Sequence, residues 1–221
     1  MKNQKNLSHY KSIAELFQYP REDYREKVNS VESVVKELYP ETITLLDEFT
    51  SYVKNTSQEE LEELFSRTFD VQAITTLDIG YVLFGDDYKR GELLVNLNRE
   101  HKEAGNDCGS ELPDNLSNIL RLLPLMKNSE TRIEMIENLI MPALEKIISE
   151  FNPDNVNLKN KIYKKQHKTI IEQSEDFGRI YQKPLQAIYK ILEKDFNYKK
   201  AEDELNTNSF TKSIKTEIEI D

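Results

Sequence analysis

Three groups of residues in this chain have side chains that could do chemistry, and their spacing decides what kind. The histidines, His9, His101 and His167, are far apart in sequence, and only His101 has Asp107 and Cys108 close behind it. A catalytic metal centre needs His, Asp, Glu or Cys in a cluster. A solvated helix end followed by a loop accounts for the His101–Asp107–Cys108 trio more simply. Cys108 is the one cysteine, which excludes an intrachain disulfide or thiolate cluster and suits a reducing compartment. As a nucleophile it would need a neighbouring base and a lowered pKa, and the sequence gives no sign of either. Asp176-Phe177-Gly178 spells a kinase tripeptide without the glycine-rich and catalytic loops that give it meaning. No phosphate-binding glycine loop is present. No residue reads as catalytic, and no metal or permanently bound cofactor is expected.

The second group suits binding. Phe65 and Phe69 are four residues apart and share one helix face, with Asp70 at its edge. The third is a turn crowded with charge: Asp86, Asp87, Lys89 and Arg90. Core packing accounts for Phe65 and Phe69 taken alone. Asp86 reads as a helix N-cap, and Arg90 as the partner of Asp70 or Asp114 in an ion pair. Glu59, Glu60, Glu62 and Glu63 read as a solvated helix start favoured by the helix dipole, or as a lure for a basic peptide. Five of the 6 glycines (Gly80, Gly85, Gly91, Gly105 and Gly109) fall between Gly80 and Leu116. Irregular backbone is therefore expected there, with turns at Gly85, Gly91 and Pro113.

The elements that must position these residues are helices throughout. An all-α, single-domain bundle without a sheet is expected over residues 1–205, with a disordered tail over 206–221. Leu7 to Gln18 is a short helix, and Pro20 can open the next, which carries Val28, Val31, Val35 and Leu38. Pro40 repeats the device before Ile43, Leu46, Phe49 and Val53. Ser57-Gln58-Glu59-Glu60 is a capping box that starts a helix with Leu61, Leu64, Phe65 and Phe69 inward. Ile74 to Phe84 is apolar on nearly every side and is expected to be the most buried helix. The next helix carries Leu93, Leu94 and Leu97. After a loop from Gly105 to Ser110, Pro113 leads into a helix with Leu116, Ile119, Leu120 and Leu123 inward. Ser129 can cap a long helix that Pro142 should kink or split. Asn152-Pro153-Asp154 is a break, and Pro184 to Asp195 carries Leu185, Ile188, Tyr189 and Leu192. Glu217 to Ile220 alternates but is too short and terminal to count as a strand.

Composition narrows the partners. The net charge is −10 and the pI about 5.0, which disfavours nucleic acid and suits a partner carrying positive charge. The N-terminus lacks the apolar run of a signal peptide and no window matches a membrane span, so a cytoplasmic, soluble protein is expected.

Four stretches together resemble one family. Leu61 to Asp70 resembles the Tyr-x-x-x-Phe-Asp motif of the NarJ-type assembly chaperones, the delta subunits of respiratory nitrate reductases within the TorD/DmsD superfamily. Gly85-Asp86-Asp87-Tyr88-Lys89-Arg90-Gly91 is similar to their Gly-Asp-x-x-x-Arg-Gly motif, and Glu111-Leu112-Pro113-Asp114-Asn115-Leu116 to their Glu-Leu-Pro-Asp-x-Leu motif. Leu16-Phe17-Gln18-Tyr19-Pro20 is similar to their Leu-x-Tyr-Pro start. Phe65 replaces a tyrosine, Val82 and Phe84 replace histidines, Ser117 replaces a proline and Arg121 a glutamate. The resemblance implies an all-α chaperone, not an enzyme. It would bind the N-terminal segment of the catalytic subunit of a molybdenum enzyme, nitrate reductase or a relative. The molybdenum cofactor and iron–sulfur clusters would belong to that client. Phe65, Phe69, Asp70, Asp86, Arg90, Glu111 and Asp114 are the expected peptide-binding residues. A helical scaffold without a peptide groove, or a small helical hydrolase, is the alternative on residues alone.

Overall fold

The apolar stripes read from the sequence close onto one core in the computed structural model, which describes residues 6–166 and 179–200. The expected tail over 206–221, the alternation at Glu217 to Ile220 and the Asp176-Phe177-Gly178 tripeptide lie outside the described residues. The fold is all-α. Helix α1 (His9–Ile13) continues as a tighter turn, Ala14–Phe17. Then follow α2 (Tyr24–Leu38), α3 (Ile43–Asn55), α4 (Gln58–Phe69), α5 (Ile79–Phe84), α6 (Tyr88–Ala104), α7 (Leu116–Leu122), α8 (Ser129–Met135), α9 (Met141–Ser149), α10 (Pro153–Gln166) and α11 (Gln182–Phe196). The extended backbone contact among the described residues is an isolated antiparallel bridge, Asp78 with Asn115. No described helix is long and apolar enough to cross a membrane.

Helix α11 packs on both α3 and α9, α2 packs on α3, and α5 packs on α9. The last described helix thus ties α3 to α9. Leu46, Phe49 and Val53 of α3 and Leu185, Ile188 and Leu192 of α11 are buried, and each buried aliphatic side chain contributes about 1.5–3 kcal/mol. Pro40 opens a single tight turn, Pro40–Thr42, ahead of α3.

Local chemistry shifts several boundaries. Pro20 does not open α2. A turn from Arg21 to Tyr24 (N–H to carbonyl, 2.8 Å) intervenes, and the helix starts at Tyr24. Asn128, not Ser129, caps α8, because its side chain accepts from the Glu130 and Thr131 amides. The long helix is split as its proline demands. A π-helical stretch, Ile136–Ile140, ends two residues before Pro142, which lies in the first turn of α9.

The largest correction concerns Ile74 to Phe84. Only Ile79–Phe84 is helical, and Tyr81 (44%) and Phe84 (37%) are exposed. The stretch from Ile74 to Asp78 is instead drawn out, with the Leu116 amide donating to the Leu77 carbonyl at 2.8 Å. Apolarity all round did not make α5 the most buried helix. That place belongs to α7, where Leu116, Ser117, Asn118, Ile119, Leu120 and Leu122 are all buried.

Candidate functional site

Helix α4 starts on a complete capping box: the Ser57 hydroxyl accepts from the Glu60 amide, and the Glu60 carboxylate accepts from the Ser57 amide. That fixes the helix phase, so Phe65 and Phe69 face inward. Their ring centroids are 5.1 Å apart, and both stand edge-on to Tyr181, at 5.8 and 5.0 Å. Tyr181 also meets Phe49 at 5.2 Å, and its hydroxyl lies 3.1 Å from that of Tyr24. Such edge-to-face contacts each add about 1 kcal/mol beyond area burial. Core packing is therefore one role of Phe65 and Phe69. Each also shows an edge to a groove of about 310 Å³.

This groove brings Phe65, Phe69, Asp70 and Glu111 together. Phe17 and Leu77 complete its apolar lining, Tyr19 stands at its lip with its ring 5.6 Å from Phe65, and Arg21 lies beside it. Asp70 follows the last turn of α4, its amide donating to the Ser66 carbonyl at 2.8 Å. The residue is exposed, its carboxylate forms no ion pair among the described residues, and partial desolvation pushes its pKa above the usual carboxylate value. Gln72, two residues on, takes φ +49°, a left-handed conformation that costs a non-glycine residue about 1 kcal/mol and turns the chain sharply past Asp70.

Arg90 and Asp114 sit behind the groove rather than in it. The Arg90 guanidinium donates to Asp114 at 3.1 Å through Nε and to Asp78 at 3.0 Å through Nη2, and lies 5.2 Å over the Tyr81 ring. Asp70 is not its partner. Asp114 is wholly buried, and a carboxylate there needs a cation beside it. Burial raises the Asp78 pKa and nearby Asp114 raises it further, while Arg90 works the other way. Burial also works against the Arg90 charge, but the two carboxylates outweigh it and its pKa rises. The triad therefore locks α6, the Asp78 bridge and the Glu111–Leu116 segment together, and Asp78 is the member that reaches the groove. Gly80 makes this possible: a Cβ there would lie 2.7 Å from Asp114 Oδ2 and 2.8 Å from the Leu93 side chain.

Asp86 is not the cap expected of it. It is exposed and outside the groove, and the cap of α6 is Asp87, whose carboxylate accepts from the Lys89 amide at 2.9 Å. Gly85 takes φ +62° where α5 ends, but Gly91 is helical, within α6, not a turn. Pro113 is buried, and its carbonyl accepts from His101 Nε2 at 2.9 Å. His101 is not part of a solvated helix end. It is buried, and its Nδ1 lies 2.8 Å from the Asn106 amide nitrogen. It ties the end of α6 to the Pro113 segment. Among the described residues, no three or more His, Cys, Asp or Glu are grouped to hold a metal. Cys108 lines the groove, but burial pushes its thiol pKa up, which leaves it protonated at neutral pH.

Two groove residues, Arg121 and Asp78, and Tyr181 beneath the groove were not singled out from the sequence as site residues. Arg121 donates to the Asp107 carbonyl and the Asn118 side chain. Asp78 pairs across 12 residues with Arg90, a contact that no short-range pattern announces. Tyr181, beneath Phe65 and Phe69, had a legible signal: Tyr181, Leu185, Ile188 and Leu192 continue one helical stripe. In comparisons with known proteins, no family model matches the chain and no curated protein matches it.

Proposed function

We propose that this protein is a cytoplasmic assembly chaperone of the NarJ type. It binds the N-terminal segment of the catalytic subunit of a molybdenum enzyme and holds the apo-subunit while its cofactor is inserted. The single observation behind this reading is the convergence of Phe65, Phe69, Asp70 and Glu111, drawn from two of the resembling motifs, on one groove. An apolar floor, with Asp70, Asp78 and Glu111 outnumbering Arg21 and Arg121 on its walls, suits a peptide that is both apolar and basic. The chaperone itself turns over no substrate, and the molybdenum cofactor and iron–sulfur clusters stay with the client. Ser117 and Arg121, two departures from the family pattern, also line the groove. They favour a client related to nitrate reductase rather than a standard one.

Titration calorimetry with the N-terminal peptide of a molybdoenzyme subunit encoded beside this chain tests the proposal. A micromolar Kd, worth about −8 kcal/mol, is expected, tight enough to hold the client and weak enough to release it. Absence of binding to both the peptide and the apo-subunit at high micromolar concentration would overturn it.

A further inference from the structure

The groove does not stop at Asp70. A second groove of about 750 Å³ opens on the far side of the same chain segment, and the two share Phe69, Asp70 and Thr76. Its opposite wall is α9, which contributes Lys146 and Ser149, with its C-cap Glu150. Several charges along the two grooves are already spoken for, while Arg21 and Glu111 line the first groove and not the second. Asp78 is held by Arg90, and Arg121 is tied to Asn118 and the Asp107 carbonyl. Lys159 is paired with Glu150 at 2.8 Å and donates to the Ile74 carbonyl. Asp70 and Lys146 both line the second groove and neither forms an ion pair among the described residues. A cation and an anion in one groove, neither ion-paired among the described residues, define a polarity.

We propose that the two grooves form one trough across Asp70 and Thr76, occupied by a segment of the client that sets a basic side chain at Asp70 and an acidic one at Lys146. The inference rests on the chaperone reading above and adds to it a second contact surface and a charge order. The exposed ring of Tyr81 and half-buried Val82 give the second groove its apolar contact. Charges at such a rim set partner choice and register more than total affinity.

The test uses the full chain and the fluorescein-labelled N-terminal peptide of the neighbouring molybdoenzyme subunit, with peptide variants in which each acidic residue in turn becomes Lys. For the wild-type chain, one acid-to-Lys peptide should bind about tenfold more weakly. Lys146→Glu, an exposed substitution, should restore that peptide and weaken the parent by a similar factor. If the parent peptide binds but Lys146→Glu treats all peptides as the wild type does, the trough is overturned and the chaperone reading stands. If no peptide binds the wild type, both fall. Carbodiimide cross-links from Lys146 to residues 201–221 of the same chain, or to a second copy, would assign the groove to those occupants and overturn the proposal.

Discussion

The Tyr39 hydroxyl donates to the Asp195 carboxylate at 2.7 Å, joining residues 156 positions apart in the chain. The same oxygen accepts from Tyr10 and His9, each at 3.0 Å. The Asp195 side chain is only 2% exposed, and burial together with this carboxylate pushes the Tyr39 and Tyr10 pKa values up. Three donors from α1 and the turn before α3 thus converge on one acceptor in the last turns of α11. Outside this cluster, Lys194 pairs with Glu41 and lies 5.3 Å over the Tyr39 ring.

Asp195→Ala should therefore destabilise the fold by about 3 kcal/mol, because it removes the acceptor shared by three buried groups and leaves Tyr39 and His9 only their mutual hydrogen bond at 2.8 Å. Tyr39→Phe removes one donor and should cost about 1 kcal/mol. Urea unfolding measures both. Equal effects for the two variants would mean that the carboxylate is not the centre of the cluster.

Arg90 and Asp86 separate cleanly. Arg90→Ala leaves Asp114 buried without its cation and should cost about 3 kcal/mol. Gly80→Ala pushes a methyl group against Asp114 and Leu93 and should cost about 1–3 kcal/mol. Asp86→Ala should stay within about 0.5 kcal/mol of wild type, since Asp87 holds the cap. The Arg90→Ala protein that remains folded should keep its peptide affinity. A peptide Kd weakened more than tenfold in folded Arg90→Ala would place Arg90 in the binding surface instead.

His101 supplies a pH dependence. Burial holds its pKa below the usual 6.5, against the hydrogen bond to Pro113, which pulls the other way. The unfolded chain thus takes up a proton more readily than the folded one. Stability from this residue is fully present above about pH 6.5 and is lost as pH falls from there toward the lowered folded value. Thermal melts between pH 8 and pH 5 should show the decline, and His101→Gln should flatten it. An unchanged decline in His101→Gln would assign it to other groups.

The helices that carry strong apolar stripes were legible: α3, α4, α7 and α11 each follow from spacing, and the Ser57 capping box fixed the start of α4. What local pattern could not convey was competition from distant parts of the chain. Ile74 to Phe84 has the composition of a buried helix, yet the Asp78–Asn115 bridge holds its first half extended. Asp86 and Asp87 are equivalent on type alone, and only the backbone geometry at Asp87 selects the cap. Phe65, Phe69, Asp70 and Glu111 meet at one groove, while Arg90 and Asp114 lie behind it, because Asp78 arrives from outside every motif to complete their ion pair.

Asp70 separates binding from stability most directly. Its raised pKa comes from partial desolvation, so the fold disfavours its charge. The sign follows: its contribution to stability is present below the unfolded value of 3.8 and is lost as pH rises through the folded one. Asp70→Asn should thus leave the neutral-pH stability unchanged or slightly higher, within about 0.5 kcal/mol. A basic peptide needs the ionised carboxylate and lowers its pKa on binding, so affinity should weaken as pH falls toward the raised folded pKa. Asp70→Asn should bind the peptide about tenfold more weakly at neutral pH, near 1.4 kcal/mol, and lose that part of the pH dependence. Calorimetry of both proteins across pH 4–7 measures it. Parallel curves for wild type and Asp70→Asn would remove Asp70 from the recognition surface.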